Sequence, residues 1–112
     1  MTPAFRRLPA GLAVLALVAP WQPAAAADAA AGKARAKQCA VCHGIDGVAK
    51  IPIAPHIAGE SSVYLETQLK AFRSGKRVHE IMSVIAQDLT DQEIADLAAW
   101  YSSIKFEVTL PE

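Results

Sequence analysis

The run Cys39-Ala40-Val41-Cys42-His43 constrains this chain more than any other feature, because it gathers the only two cysteines and one of three histidines into five consecutive positions. Two sulfurs separated by two residues and followed at once by an imidazole have the spacing at which thiols add to the two vinyl groups of one haem while the histidine takes its iron. Other uses of these residues fit less well. A structural zinc site needs a fourth ligand, and the sequence holds no second Cys/Cys or Cys/His pair to supply it. A thioredoxin-like dithiol sits on a βαβ scaffold, and no strand pattern supports one here. A plain disulfide accounts for the cysteines but leaves His43 unexplained. The residues therefore name a cofactor, one covalently attached haem, with Cys39 and Cys42 as its thioether anchors and His43 as the proximal iron ligand.

The N-terminus says where such a group would be attached. Arg6 and Arg7 form a positive region, Leu8 to Ala19 an apolar stretch, and the small-residue segment that follows ends in an A-x-A pattern at Ala25 and Ala27. The apolar stretch falls short of the roughly twenty residues a spanning helix needs. Residues 1–27 therefore read as a secretory signal peptide cleaved before Asp28. The whole chain carries 11 basic and 11 acidic residues; removing Arg6 and Arg7 leaves 9 against 11, a mildly acidic domain with no footprint for nucleic acid. Cleavage also removes Met1, which leaves Met82 as the only methionine of the mature chain.

What remains is a single small domain over 28–105 with a tail over 106–112, too short to be comfortable on its own apolar core. A covalently held haem would complete that core. The pattern is all-α. Asp28 can cap a first helix running through Gln38, with Gly32 marking a place where another helix crosses closely. From Gly44 to Gly59 the chain has loop chemistry, with Pro52 and Pro55 inside it. A helix resumes after Ser61 or Ser62, with Leu65, Leu69 and Phe72 on one stripe and Gly75 as its stop. Thr90-Asp91-Gln92-Glu93 is a capping box for a last helix whose apolar face is Ile94, Leu97, Ala98 and Tyr101, with Leu89 stapled onto Ile94. Asp91, Glu93 and Asp96 read as its solvated first turn. The tail, Phe106 to Glu112, alternates apolar residues as an extended segment lying on the protein or on another subunit would.

These elements, together with Ala54-Pro55-His56-Ile57-Ala58-Gly59, the stretch Gln68 to Arg77, and Met82-Ser83, resemble a class I c-type cytochrome of the small bacterial kind, similar to cytochrome c-553 or to one half of cytochrome c4. The resemblance spans nearly all of 28–105. It implies a cytochrome c fold, three to four helices wrapped around one haem c with the first and last helices crossing. It also implies Met82 as the distal iron ligand, in a loop just before the last helix, and a Pro55 carbonyl that accepts the His43 ring N–H. Gly32 would touch Leu97 and Trp100 of the last helix. Arg73, Lys76 and Arg77 match the basic stretch ahead of the methionine, which pairs haem propionates or docks partners. His79 and His56 are rival sixth ligands, His79 on an exposed basic stretch and His56 beside Pro55.

The function implied is a periplasmic single-electron carrier, not an enzyme, exchanging electrons with periplasmic redox proteins and carrying no membrane span after cleavage. Nothing in the chain offers a nucleophile or a paired acid and base for bond chemistry. Two alternatives stay open: a haem subunit of a periplasmic dehydrogenase complex, and a gas-binding or peroxidase-like protein if Met82 leaves the iron free.

Overall fold

The computed structural model describes residues 23–112 together with Met1; residues 2–22, and with them Arg6, Arg7 and the apolar stretch of the expected leader, lie outside the described residues. The order is α1 (Ala29–Arg35), α2 (Ala40–His43), α3 (Ser62–Ser74), α4 (Met82–Gln87) and α5 (Asp91–Ser103), with no strand among the described residues. No helix among them is long and apolar enough to cross a membrane.

The described residues are all-α as expected and form five helical segments, because the first expected helix is interrupted and a short further helix precedes the last one. The first helix stops at Arg35, not Gln38, and resumes one turn later as α2. Ala36 at the interruption is fully buried. α4 forms in what reads in sequence as loop before the last helix, so that Met82 opens a short helix.

Local signals explain where the remaining helices begin and end. Asp28 accepts from the backbone N–H groups of Ala30 and Ala31 and starts α1. Ser61 accepts from Tyr64 N, and Gly75 closes α3 at φ 79°, a conformation open to glycine without strain. α5 carries the full reciprocal capping box between Thr90 and Glu93.

The core lies between α1, α3 and α5 and gathers Ala36, Leu65, Leu89, Ile94, Leu97, Ala98 and Tyr101. Among the described residues Ile94 is the only large side chain that is wholly buried, and burying it contributes on the order of 2–3 kcal/mol. α1 crosses α5 at Gly32, where a Cβ would come within 1.9 Å of the Asp96 carbonyl oxygen and 3.0 Å of Trp100 Cβ. The expected close contact is therefore present, and the atoms nearest a Cβ there belong to Asp96 and Trp100. Asp96 itself departs from the solvated turn expected of it. It is 8% exposed and accepts from the main-chain N of Asp28 at 2.8 Å and from Gln92 Nε2 at 2.9 Å. Periodicity in α5 places position 96 near the polar flank, and only the arrival of α1 covers it.

Two ion pairs tie α5 to its neighbours. Arg35 Nε reaches Glu93 Oε1 at 2.7 Å, and Arg73 pairs with Asp91 while donating to the Leu89 carbonyl at 2.7 Å. The Thr90 N–H and then the Arg35 guanidinium hold the Glu93 carboxyl below the usual carboxylate range. At the start of the tail Phe106 lies over Gly59, and Val108 and Leu110 are exposed.

Two outcomes follow from the crossing and its caps. Gly32→Ala puts a methyl into backbone and lowers stability by roughly 1–3 kcal/mol, read as a fall in the thermal midpoint of the haem-loaded protein with its spectrum unchanged. Glu93 has a depressed native pKa, so its contribution is present above the unfolded carboxylate range, about 4.3, and is lost as pH falls through the native value. Denaturant midpoints measured from pH 7 down to pH 3 will drop less steeply in Glu93→Gln than in the parent.

Candidate haem site

A single helical turn brings the sulfurs and the imidazole together. Cys39 stands at the start of α2, Cys42 and His43 end it, and Gly44 stops it at φ 75°. His43 is buried, and its Nδ1 lies 2.9 Å from the Pro55 carbonyl oxygen. A carbonyl can only accept, so Nδ1 carries the proton and Nε2 keeps the lone pair that a metal requires.

The loop from Gly44 to Gly59 delivers that carbonyl, and backbone bonds fix its path. Lys50 N donates to the Cys42 carbonyl at 2.8 Å, and Ile57 N and Ala58 N both donate to the Gly47 carbonyl, at 2.8 and 3.1 Å. Gly47 has φ 73°, and a Cβ there would lie 2.6 Å from the Ala58 backbone, so the two arms of the loop can meet only at glycine. α5 holds both ends of the loop. Tyr101 donates its hydroxyl to the Gly44 carbonyl at 3.1 Å in a buried bond, and its own carbonyl accepts from Gly59 N at 2.9 Å. Trp100 Nε1 donates to the Ile45 carbonyl at 3.0 Å. Burial pushes the Tyr101 phenol well above its ordinary value, which keeps it a donor across the working pH range. These clamps escape a sequence reading, since nothing local to Trp100 or Tyr101 says that a loop more than fifty residues away lies above them.

Side chains from α2, this loop, α3, α4 and α5 enclose a cavity of about 420 Å³. Its walls are mostly apolar and include Leu65, Leu69, Phe72, Ile85 and Leu97. Cys39, Cys42, His43, Pro55, Arg77 and Met82 all line it, as do the two rival histidines, His56 and His79. Burial pushes the Cys39 thiol up, with the Arg35 guanidinium acting against that. An apolar slot with two thiols, a proton-defined imidazole and a thioether on its walls fits a covalently bound haem.

His56 Nδ1 accepts from Ala49 N at 2.8 Å and so closes the loop. His79 Nδ1 accepts from Ile81 N at 3.2 Å and Met82 N at 3.3 Å, and the His79 main-chain N–H donates to Ser83 Oγ at 3.0 Å. His79 thus caps the first turn of α4, the turn that carries Met82. The sequence signal for this was available in the spacing of His79 and Ser83, which bond across four positions. Arg77 stacks its guanidinium 4.6 Å from the Phe72 ring centre and donates to Gln68 Oε1 at 2.6 Å at the cavity's edge. Arg73, grouped with it in sequence, is placed elsewhere: it is not among the residues lining the cavity, and it secures the approach to α5 through Leu89 and Asp91.

Known proteins resemble both the sequence and this arrangement. A family model described as Cytochrome c matches residues 29–105. Cytochrome c-554(548) of Halomonas halodenitrificans is 47% identical over 81 residues, which is 70% of this chain and 98% of that protein. The crystal structure of reduced recombinant cytochrome c4 from Pseudomonas stutzeri matches with a TM-score of 0.68 at 35% identity, covering 74% of this chain and 48% of that one. A thiosulfate dehydrogenase electron acceptor of Thiomonas intermedia is 38% identical over 84 residues, 73% of this chain and 38% of that protein. The chain thus spans nearly all of the first relative and less than half of the other two. Because the family match runs from the first helix past the last, over the fold that shapes this cavity, the chain belongs to the cytochrome c family, as an all-α electron-transfer protein with covalently bound haem c and not an enzyme.

Proposed function

We propose that this protein is a periplasmic single-electron carrier in which Cys39 and Cys42 form the thioether links, His43 is the proximal iron ligand and Met82 the distal one. The observation that carries this reading is the convergence of His43, its proton fixed on Nδ1 by Pro55, and Met82 on one apolar cavity. Haem c supplies a one-electron iron couple when attached. The chain supplies the rest. His43 offers Nε2 with its lone pair, and the Pro55 carbonyl makes that nitrogen a stronger donor. Met82 offers a soft, neutral thioether, which favours the reduced metal and raises the potential. His79 holds the turn that carries Met82. Ligands supplied from two packed elements leave little to rearrange when the charge changes.

Ile53 and Ile81 line the cavity and are also exposed, at 66% and 39%, so its rim reaches the surface where a redox partner can approach. Arg77 stands at that cavity with a cation suited to a propionate. A leader cleaved before Asp28 and export to the periplasm fit attachment of haem after translocation, and Asp28 is where the folded domain begins. For the electron source we favour a periplasmic dehydrogenase. What supports it is the relative named as the electron acceptor of thiosulfate dehydrogenase, which this chain matches over 38% of that protein's length.

The test is the absorption spectrum of protein matured in a bacterial periplasm, oxidised and reduced, with Met82→Ala alongside and carbon monoxide offered to each. The expected result is a far-red methionine-to-iron(III) band in the parent alone, and carbon monoxide binding only once Met82 is removed. A parent that lacks the band and takes up carbon monoxide would overturn the His43/Met82 assignment and leave a gas-binding or peroxidase-like site in its place.

A further inference from the structure

Asp96 is one of two polar or charged residues buried among the described residues; the other is His43. Its hydrogen-bond partners are the main-chain N of Asp28, 68 positions away in sequence, and the Gln92 carboxamide. An amide and a carboxamide are a thin set of donors for a buried carboxylate, since buried charges are ordinarily paired. The nearby cations are engaged elsewhere. On α1, Lys33 lies 5.0 Å from the Trp100 ring centre and Arg35 is held by Glu93 and Gln38. The carboxylate of Asp28 is turned to the first turn of α1, accepting from Ala30 N at 2.8 Å and Ala31 N at 3.3 Å.

We propose that removal of the leader between Ala27 and Asp28 turns that amide into an α-ammonium whose counter-ion is Asp96, so that processing installs an ion pair at the crossing of α1 and α5. The ion pair rests on cleavage before Asp28, as proposed above. In the cleavage step water adds across the Ala27–Asp28 peptide bond. Ala27 keeps the new carboxylate, and the freed amine of Asp28 takes up a proton, since an α-amino group titrates near 7.7–8.0. The position of the atom is already set: the nitrogen lies 2.8 Å from Asp96 Oδ1, within the range of a charge-assisted bond. Departure of the leader also breaks the 3.3 Å bond from Gln92 Nε2 to the Ala26 carbonyl, which leaves the carboxamide to Asp96.

The sign of the pH dependence follows from the amine. A partner carboxylate raises the amine's pKa in the folded state. The stabilisation is therefore full below the unfolded value, near 8, and disappears as pH rises through the folded one. Gly32 lies on the next turn of the same crossing, so the pair would act where α1 and α5 touch backbone to backbone.

The experiment compares haem-loaded protein from the periplasm with the same protein carrying one glycine inserted between Ala27 and Asp28, each with and without Asp96→Asn. Intact masses give the first residue, and thermal midpoints are read at pH 6 and pH 10. The expected outcome is a parent that begins at Asp28 and melts about 4–8 °C above the extended protein at pH 6. That gap should close at pH 10 and be absent between the two Asp96→Asn proteins. Equal midpoints at pH 6 would overturn the ion pair, as would a gap that persists at pH 10. If Asp96→Asn does not fold, the two pH values decide the matter on the parent and the extended protein alone. A parent mass beginning at another residue would overturn the cleavage position separately from the behaviour of the pair.

Discussion

The approach of α1 to α5 at Gly32 is the contact on which the rest of this protein depends. Because a hydrogen takes the place of a side chain, the first helix lies directly on the Asp96 carbonyl. That places Ala36 in the core and aims the turn that follows at the cavity. α5 then reaches outward from the same crossing, and through Trp100 and Tyr101 it grips both ends of the loop that carries Pro55. The His43 imidazole is thus aligned through a short chain of contacts: helix on helix, helix on loop, and loop carbonyl on the ring. None of these steps is rich in buried side chains. Leu65, Leu97 and Tyr101 belong to the core and also line the cavity, so the prosthetic group is part of the core as well as the seat of the chemistry.

What the sequence discloses here is what is chemically local. Cys39, Cys42 and His43 identify the cofactor because their function depends on spacing within one turn. Thr90 and Glu93 identify the start of α5 because a capping box is made of neighbours, and Leu65, Leu69 and Phe72 identify α3 because a stripe is a matter of period. The misreadings share a different physical origin. Asp96 looks solvated until α1 covers it. Arg73 and Arg77 look alike along the chain, yet one faces the cavity and the other the base of α5, because α3 ends between them at Gly75. The helix at Met82 has no capping residue at Ile81. Its first N–H groups are satisfied by the imidazole of His79, three positions ahead of Met82, a side chain outside the usual set of capping residues. The interruption after Arg35 has no Gly or Pro to announce it.

The site divides labour between side chains that present chemistry and backbone that places it. In the proposed assignment His43, Met82 and the two cysteines present the donors. Gly44, Gly47 and Gly59 fix the loop that carries Pro55, through bonds from main chain to main chain or from α5 to main chain. Electrostatics plays a smaller part inside the cavity, where Arg77 is the only Lys or Arg among the described residues of the lining. It plays a larger one outside, where Arg35, Arg73, Glu93 and Asp91 fasten α5 to α1 and α3.

The acceptor for the His43 ring is a main-chain oxygen, and this separates two kinds of evolutionary freedom. A carboxylate in that place would be lost by a single codon change and would shift the electron density of the imidazole with it. A carbonyl survives every substitution that leaves the loop's path intact, so an exposed position such as Ile53 can change while the acceptor for the ring stays where it was. Proline at position 55 narrows the backbone angles that aim the oxygen. The surface around this loop can therefore be remodelled without moving the oxygen that orients the ring.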